Sequence, residues 1–274
     1  MEEYYTSSWW RPSDDRSLFW SPADIGLGVN RKFEKHVLIC SATDMLVSQY
    51  NPLIDYPNLY LEFIRLPLGR EALEPIAKFA NLYGPLGADL VHAALMPGDS
   101  IVHHGELADH WLREIVDLRD AVYVWQLARR GKTKELREHI EWTSRAVIYR
   151  SDNRSAVICS KEIRAEVYDA IKKRKRELVV PAMLYVQNAI NKSLLNRSRS
   201  FMFSDFSDLK NPTMRSGPKG LIGALWLQFA NDVHARKVPA QCGHCRRVYV
   251  PTRSDARYCS NSCRQKAYNQ RRGL

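Results

Sequence analysis

The chain has 274 residues, of which 45% are hydrophobic and 26% are charged, and its formal net charge is +11. This is the composition of an ordinary globular protein with one large core or a core plus a small appendage. It contains no run of about 18 apolar residues, which argues against a membrane-spanning helix. No basic stretch followed by an apolar one opens the sequence, so we expect no secretory signal and a cytoplasmic location.

The first part of the chain predicts an arm followed by a mainly helical domain. Residues 1–35 hold three tryptophans among serine, proline and aspartate, which indicates an irregular N-terminal arm packed by its aromatic side chains. Residues 36–40 are expected to form a short strand. Between residues 70 and 83, apolar side chains recur at helical spacing. We place the mainly helical domain at 36–219.

The middle of the chain predicts a helical pair and a hairpin. A wide apolar stripe predicts a helix over residues 106–130, and Gly131 is expected to end it. Thr133 can cap a second helix that reaches about Trp142. β-branched residues on both sides of a turn predict a hairpin near residues 145–159.

Helical patterning resumes at residues 161–195, with Pro181 as the expected break. The basic block 172–176 would spread around more than one helical turn, which favours a solvated face over a phosphate site. Residues 211–220 contain Pro212, Gly217 and Pro218 and predict a linker-like loop. The segment 220–240 is expected to connect this domain to the last part of the chain through a helix from about Leu221 to Ala235.

Four of the six cysteines lie within 22 positions near the end of the chain. Their spacing is C-x2-C, thirteen residues, and C-x3-C. Zn²⁺ requires four ligands at tetrahedral corners, and two such pairs can supply them. Two disulfides would use the same residues, but a cytoplasmic chain keeps its thiols reduced. The predicted zinc ligands are Cys242, Cys245, Cys259 and Cys263. Cys40 and Cys159 are expected to be small core residues.

The order of elements around these cysteines predicts a treble-clef-like zinc finger over residues 241–274. The first pair forms a tight knuckle with Gly243, and a short strand-like run follows. Ser260 is a suitable N-cap for a terminal helix that would hold Cys263 in its first turn. His244 lies between the first two ligands and could replace a cysteine, but four cysteines already complete the coordination.

The finger is strongly basic. Residues 241–274 contain eight basic residues and one acidic residue, a formal charge of +7. Four thiolates and one Zn²⁺ would leave about +5. Such a module can contact phosphates and stack on bases, unless its arginines are merely solvated and Tyr268 packs on the metal core. The predicted nucleic-acid contacts are Arg246, Arg247, Arg264, Lys266, Tyr268, Arg271 and Arg272.

The same region resembles a known family through four motifs. They are an apolar helix at 221–230, Cys242-Gly243-His244-Cys245, Arg257-Tyr258-Cys259-Ser260, and Cys263-Arg264-Gln265-Lys266-Ala267-Tyr268. In these motifs the chain is similar to the bacterial CGNR-like treble-clef zinc-finger proteins, described as transcriptional regulators with a helical N-terminal region. It differs in having Arg264-Gln265 after Cys263, where that family has Cys-Gly-Asn-Arg. The resemblance covers 221–272 and implies zinc, with DNA as the partner.

The sequence contains no G-x-S-x-G, Walker A, G-x-G-x-x-G or H-E-x-x-H motif, so we assign no catalytic residue. Two weaker candidates stay open. One is a second metal site built from His103, His104, Glu106, Asp109 and His110, whose spacing matches no standard set. The other is a ribonuclease-like pair of His139 with Arg145.

These observations predict a mainly α protein with a small β contribution, made of a helical domain and a C-terminal zinc finger. The function they favour is zinc-dependent DNA binding by a transcriptional regulator whose N-terminal domain senses a signal, forms a homodimer, or both. Two alternatives stay open. One is a zinc-finger adaptor that binds an acidic protein. The other is a nucleic-acid-processing enzyme with its active site in the helical domain.

Overall fold

A computed structural model describes residues 9–12, 20–25, 35–40, 47–87, 91–94, 102–152, 154–175, 177–195, 197–205, 208–251, 253 and 255–272. Helices form the larger part of its regular structure, which confirms the mainly α prediction. Among these residues, no helix is both long and apolar enough to cross a bilayer. The helices are α1 (Pro52–Asp55), α2 (Leu59–Phe63), α3 (Leu73–Tyr83), α4 (Ala108–Arg129), α5 (Thr133–His139), α6 (Lys161–Lys173), α7 (Val179–Leu195), α8 (Gly220–His234) and α9 (Asn261–Arg272).

The strands form small antiparallel sheets. The strands are β1 (Trp9–Pro12), β2 (Trp20–Ile25), β3 (Lys35–Cys40), β4 (Val47–Tyr50), β5 (Val91–Ala94), β6 (Val102–Leu107), β7 (Ile140–Trp142), β8 (Ala146–Ser151), β9 (Arg154–Ser160), β10 (Ser198–Asp205), β11 (Asp208–Pro218), β12 (Ala240–Gln241) and β13 (Val248–Tyr249). Their order is β2-β3-β6-β5 in a four-stranded sheet and β7-β8-β9 in a three-stranded one, and β1-β4, β10-β11 and β12-β13 are pairs.

Several strands lie where the sequence predicted irregular structure. β1 and β2 fall inside the segment 1–35, which was expected to be an irregular arm. β11 occupies most of the predicted loop 211–220 and pairs with β10 from Ser198↔Pro218 to Asp205↔Asp208. Proline is compatible with this strand because each strand of a two-stranded sheet has a free edge, where a missing N–H costs no ladder bond. The predicted hairpin near 145–159 corresponds to β8 and β9.

By packing, the chain divides into two compact units, each built from two separate segments. Unit 1 comprises Met1–Val116 and Ser193–Gln228, and unit 2 comprises Asp117–Lys192 and Phe229–Leu274. The division falls within α4, α7 and α8, so these helices contribute residues to both units.

Two buried polar side chains hold the loops of unit 1. The Glu106 carboxylate accepts hydrogen bonds from the backbone N–H groups of Leu86 (3.0 Å) and Gly87 (2.8 Å) and from Trp111 Nε1 (2.9 Å). Gln228 on α8 accepts from the N–H of Tyr60 and donates to the backbone of the α1–α2 region. A buried polar group is stable only when it is hydrogen-bonded, so both residues order the chain around them.

Unit 2 begins at Asp117, within α4, and the chain next turns where this helix ends. Gly131 adopts a left-handed conformation with φ +63°, and the N–H of Lys132 donates to the carbonyl of Leu127 at 2.9 Å. Gly131 therefore ends α4, as the sequence predicted. Thr133 is the first residue of α5, not its cap. That helix ends at His139, short of the predicted Trp142, because Ile140 is extended and pairs with β8. Pro181 lies in the first turn of α7, where its missing N–H removes no helical bond.

A close approach inside unit 1 predicts an unusual response to substitution of Gly223. A Cβ atom at this helical position would lie 2.7 Å from the carbonyl oxygen of Arg197. Helix propensity alone would make Gly223→Ala stabilising by about 1 kcal/mol. We expect it to destabilise the protein by about 1–3 kcal/mol instead, because the site is overpacked. Urea denaturation measures the change.

The matched control is Asn231→Ala, an exposed position on the same helix. Helix propensity is the main effect there, so we expect stabilisation of about 0.5 kcal/mol. If both alanines stabilise the protein, the close packing of Gly223 against Arg197 is incorrect.

Candidate metal centre

The sulfur atoms of Cys242, Cys245, Cys259 and Cys263 converge in unit 2. All four lie within 4.8 Å of one another. The Cys245–Cys259 and Cys259–Cys263 Sγ–Sγ distances are both 3.6 Å. A tetrahedron of sulfurs with a metal–sulfur bond of about 2.3 Å has edges of about 3.8 Å, so this arrangement fits a four-coordinate metal ion. The structure thus brings together the four residues that the spacing predicted, and they could hold a metal.

The first cysteine pair is positioned by a backbone knuckle. The N–H of Cys242 donates to the carbonyl of Arg247 at 2.9 Å, and the N–H of Arg246 donates back to the carbonyl of Cys242 at 3.1 Å. Arg246 adopts φ +60°, a left-handed conformation that completes the tight reversal. β12 and β13 pair beside this knuckle through Ala240↔Tyr249 and Gln241↔Val248.

The second cysteine pair depends on the start of α9. The hydroxyl of Ser260 accepts a hydrogen bond from the N–H of Cys263 at 3.2 Å, and its carbonyl accepts from the N–H of Arg264. Ser260 is therefore the N-cap that the sequence predicted, and it places Cys263 in the first turn. The N–H of Cys259 donates to the sulfur of Cys242 at 3.4 Å, which links the two pairs.

The four thiols influence one another's ionisation. Burial opposes ionisation of Cys242, but backbone N–H groups of Cys259, Cys245 and His244 outweigh it and lower the pKa of Cys242 to about 6. Burial and the neighbouring sulfurs of Cys263 and Cys245 raise the pKa of Cys259 to about 12. Several thiolates cannot share one small site unless a cation offsets their charge, so a divalent ion would favour the ionised form of all four.

Among the side chains that the structure describes, the remaining sulfur and imidazole candidates are not part of this group. His244 lies in the knuckle but does not join the four sulfurs as a ligand. Cys159 is buried in unit 2, and burial raises the pKa of its thiol, as expected for a core residue. The side chain of Cys40 lies outside the described residues.

The segment before the cysteines is tied to α4. α8 ends at His234, one residue before the predicted helix end at Ala235, and Arg236, with φ +56°, then reverses the chain. Trp125 Nε1 then donates to the carbonyl of Lys237 at 3.0 Å, and Arg130 donates to the carbonyl of Pro239 at 2.8 Å. Because this anchor lies only three residues before Cys242, the finger is held against the rest of unit 2 and not on a long tether.

The predicted nucleic-acid residues lie on the surface of the finger. Arg246 and Arg247 are exposed at the knuckle, and Arg264, Lys266, Tyr268 and Arg271 are exposed on α9. The side chain of Arg272 is outside the described residues. Tyr268 is 46% exposed, and Ala267 packs inward in its place.

Arg264, Tyr268 and Arg271 are spaced so that they share one side of α9. Arg271 donates to the hydroxyl of Tyr258 and to the carbonyl of Ala267, so its guanidinium is fixed along the helix. Among the described residues, Arg246, Arg264 and Lys266 form no ion pair, which leaves their charges available to a partner.

The second metal candidate is only partly described. The side chains of His103 and His104 lie outside the described residues. The Glu106 carboxylate is engaged by two backbone N–H groups and Trp111, so its oxygens already have strong donors. The proposed pair of His139 and Arg145 has separate partners: His139 Nδ1 contacts the carbonyl of Arg150 at 2.9 Å, and Arg145 faces Glu162 across an exposed ion pair.

A polar cluster that sequence reasoning missed lies elsewhere in unit 2. Arg154 forms ion pairs with Asp117 and Asp120 and donates to the hydroxyl of Tyr185 at 2.7 Å. Burial raises the pKa of Asp120, and a hydrogen bond from Ser151 opposes that shift. Perturbed acids occur at functional sites and in structural networks alike. Here one arginine binds both carboxylates, so the cluster acts as a cross-link between α4, β9 and α7.

No family model, curated protein or solved structure matches the chain. The convergence of four sulfur atoms within 4.8 Å is therefore the observation that supports a metal site here.

Replacement of one ligand should abolish metal binding. In Cys259→Ser a neutral hydroxyl replaces one of the four thiolate ligands, so we expect bound metal to fall from one ion per chain to near zero. Elemental analysis of the purified protein measures the ratio. The matched control, Cys159→Ser, changes a buried thiol outside the cluster and should keep its metal. Full metal content in Cys259→Ser would contradict the assignment.

Proposed function

We propose that the chain is a zinc-dependent DNA-binding protein and that its C-terminal finger is the contact element. The choice of zinc is supported by ligand type and by geometry. Four sulfur ligands favour a soft or borderline metal, and sulfur separations of 3.6 Å agree with the edges of a tetrahedral tetrathiolate site. Such a site requires reduced thiols, which is consistent with a cytoplasmic location.

The observation that supports nucleic-acid binding best is the exposed positive charge of the finger. Eight basic residues and one acidic residue lie in 241–274, and the described ones are on the surface. Even after four thiolates and Zn²⁺ are counted, about +5 remains. A charge of this density attracts the phosphate backbone and releases counterions when it binds.

The geometry indicates how the contacts would be divided. Arg246 and Arg247 at the knuckle and Arg264 and Lys266 on α9 can reach phosphates, which fixes position but carries little sequence information. Tyr268, exposed beside Arg264, can stack on a base. Arg271, held by Tyr258, offers a pre-oriented guanidinium for a phosphate oxygen.

One finger of this size makes few contacts, so a single copy should bind weakly. A two-fold homodimer would present two fingers and raise the overall affinity without new contacts. We propose that the rest of the chain supplies this dimerisation, the sensing of a signal, or both, and that transcriptional regulation is the biological role.

The salt dependence of DNA binding should change with single basic residues of the finger. Each lost phosphate contact lowers the slope of log K against log salt by about 0.9. We therefore expect Lys266→Ala to weaken binding of a labelled random duplex and to reduce the slope by about one. Fluorescence anisotropy at several salt concentrations measures both quantities.

The control is Lys173→Ala, an exposed basic residue on α6 outside the finger. It should leave affinity and slope unchanged. Equal effects of both variants would indicate a nonspecific response to net charge. If the wild-type protein shows no salt-dependent affinity for DNA, the nucleic-acid proposal fails, and an acidic protein partner becomes the better explanation of the basic finger.

A further inference from the structure

A cavity of about 610 Å³ lies in unit 2 between α6, α7 and the last turn of α8. Its lining includes none of the four clustered cysteines and none of the residues proposed to contact DNA. Pockets that bind small molecules usually enclose about 300–1,000 Å³, so this volume is suitable for a ligand of drug-like size.

The lining of this cavity is almost entirely apolar. Val167 and Ile171 come from α6, Met183 and Leu184 from α7, and Val233 from α8. Among the residues that the structure describes, none that lines the cavity is charged. A charged ligand would lose its hydration against these walls without gaining an ionic partner there, so the cavity favours an uncharged molecule.

Two carboxamides give the cavity a polar edge. Gln187 and Asn191 both line it, and because they lie four residues apart on α7 they share one helical face. In the described part of the chain, neither side chain makes a hydrogen bond. Each carries one carbonyl acceptor and one amide donor, so together they can bind a carbonyl, amide or hydroxyl group.

We infer that this cavity is a binding site for a small, uncharged, mainly apolar molecule that carries one neutral hydrogen-bonding group. The apolar body packs against the α6 and α7 side chains, and the polar group is held by Gln187 and Asn191. An apolar pocket with few convergent polar groups is the usual form of a small-molecule site. The inference does not depend on the nucleic-acid role of the finger.

A second copy of the chain fits this surface less well. Lys172 and Lys173 end α6 directly after the lining residue Ile171, Lys175 follows them, and all three are exposed without lining the cavity. A two-fold interface over the cavity would bring two such basic stretches to one interface, where like charges repel. A small uncharged ligand meets no such repulsion.

The test uses Nile red, an uncharged apolar dye with a carbonyl group, and the full-length protein. We expect saturable fluorescence enhancement with one dye per chain. Met183→Trp fills the cavity and should weaken binding by at least about tenfold, whereas Gln187→Leu keeps the shape, removes the amide and should weaken it about two- to tenfold. The control Leu195→Trp adds the same side chain at an exposed position on α7 outside the cavity and should bind as the wild type does.

Circular dichroism checks that each variant is folded; should Met183→Trp unfold, Gln187→Leu decides the test, because its position is exposed. The inference is overturned if the wild type shows no saturable binding, or if folded Met183→Trp or Gln187→Leu binds as the wild type does. It is also overturned if Leu195→Trp loses binding equally. Sedimentation gives the last outcome: a wild-type dimer that Met183→Trp converts to a monomer would mean that a second copy covers the cavity.

Discussion

The C-terminal part of this protein depends on one electrostatic constraint, the gathering of four cysteine sulfurs at one point. The opposite pKa shifts of Cys242 and Cys259 express this constraint, because one thiol is stabilised as a thiolate and its neighbour is then held protonated. A divalent cation removes the conflict. The surrounding secondary structure is small, since β12 and β13 have two residues each, and small modules usually need a metal or another cross-link to fold. Metal binding and folding of the finger are therefore expected to be one event.

The position of the four-cysteine cluster determines where the basic side chains of the finger are presented. Trp125 on α4 and Arg130, which follows that helix, fix the backbone at Lys237 and Pro239, shortly before the first of the four cysteines. The finger that carries the basic side chains is thus anchored before a partner binds. Less conformational entropy of the finger is then lost on binding. The same helix end that leads to the finger contributes Val233 to the apolar cavity, so a ligand there would contact the segment that precedes the anchor.

The sequence predicted the features that depend on local spacing. The four cysteines, the Ser260 N-cap, the end of α4 at Gly131 and the hairpin of β8 and β9 all follow from residue types a few positions apart. Features that depend on strand pairing or on packing between elements could not be foreseen. β10 and β11 pair despite proline and glycine, because pairing across a hairpin outweighs local turn signals. The cross-link of Arg154 to the acids of α4 has no signature, since its members come from three elements, and the cavity is likewise formed by three helices.

The most direct test of the account is the affinity of the full-length protein for a labelled DNA duplex, measured by anisotropy in three states: as purified, after metal removal by a chelator under reducing conditions, and after addition of Zn²⁺. Far-UV circular dichroism in each state shows whether the rest of the chain stays folded. The account predicts that metal removal weakens DNA binding by at least about tenfold while most helical signal remains, and that Zn²⁺ restores it. Equal affinity of the metal-free and zinc-bound protein would contradict the claim that a metal-organised finger makes the contact.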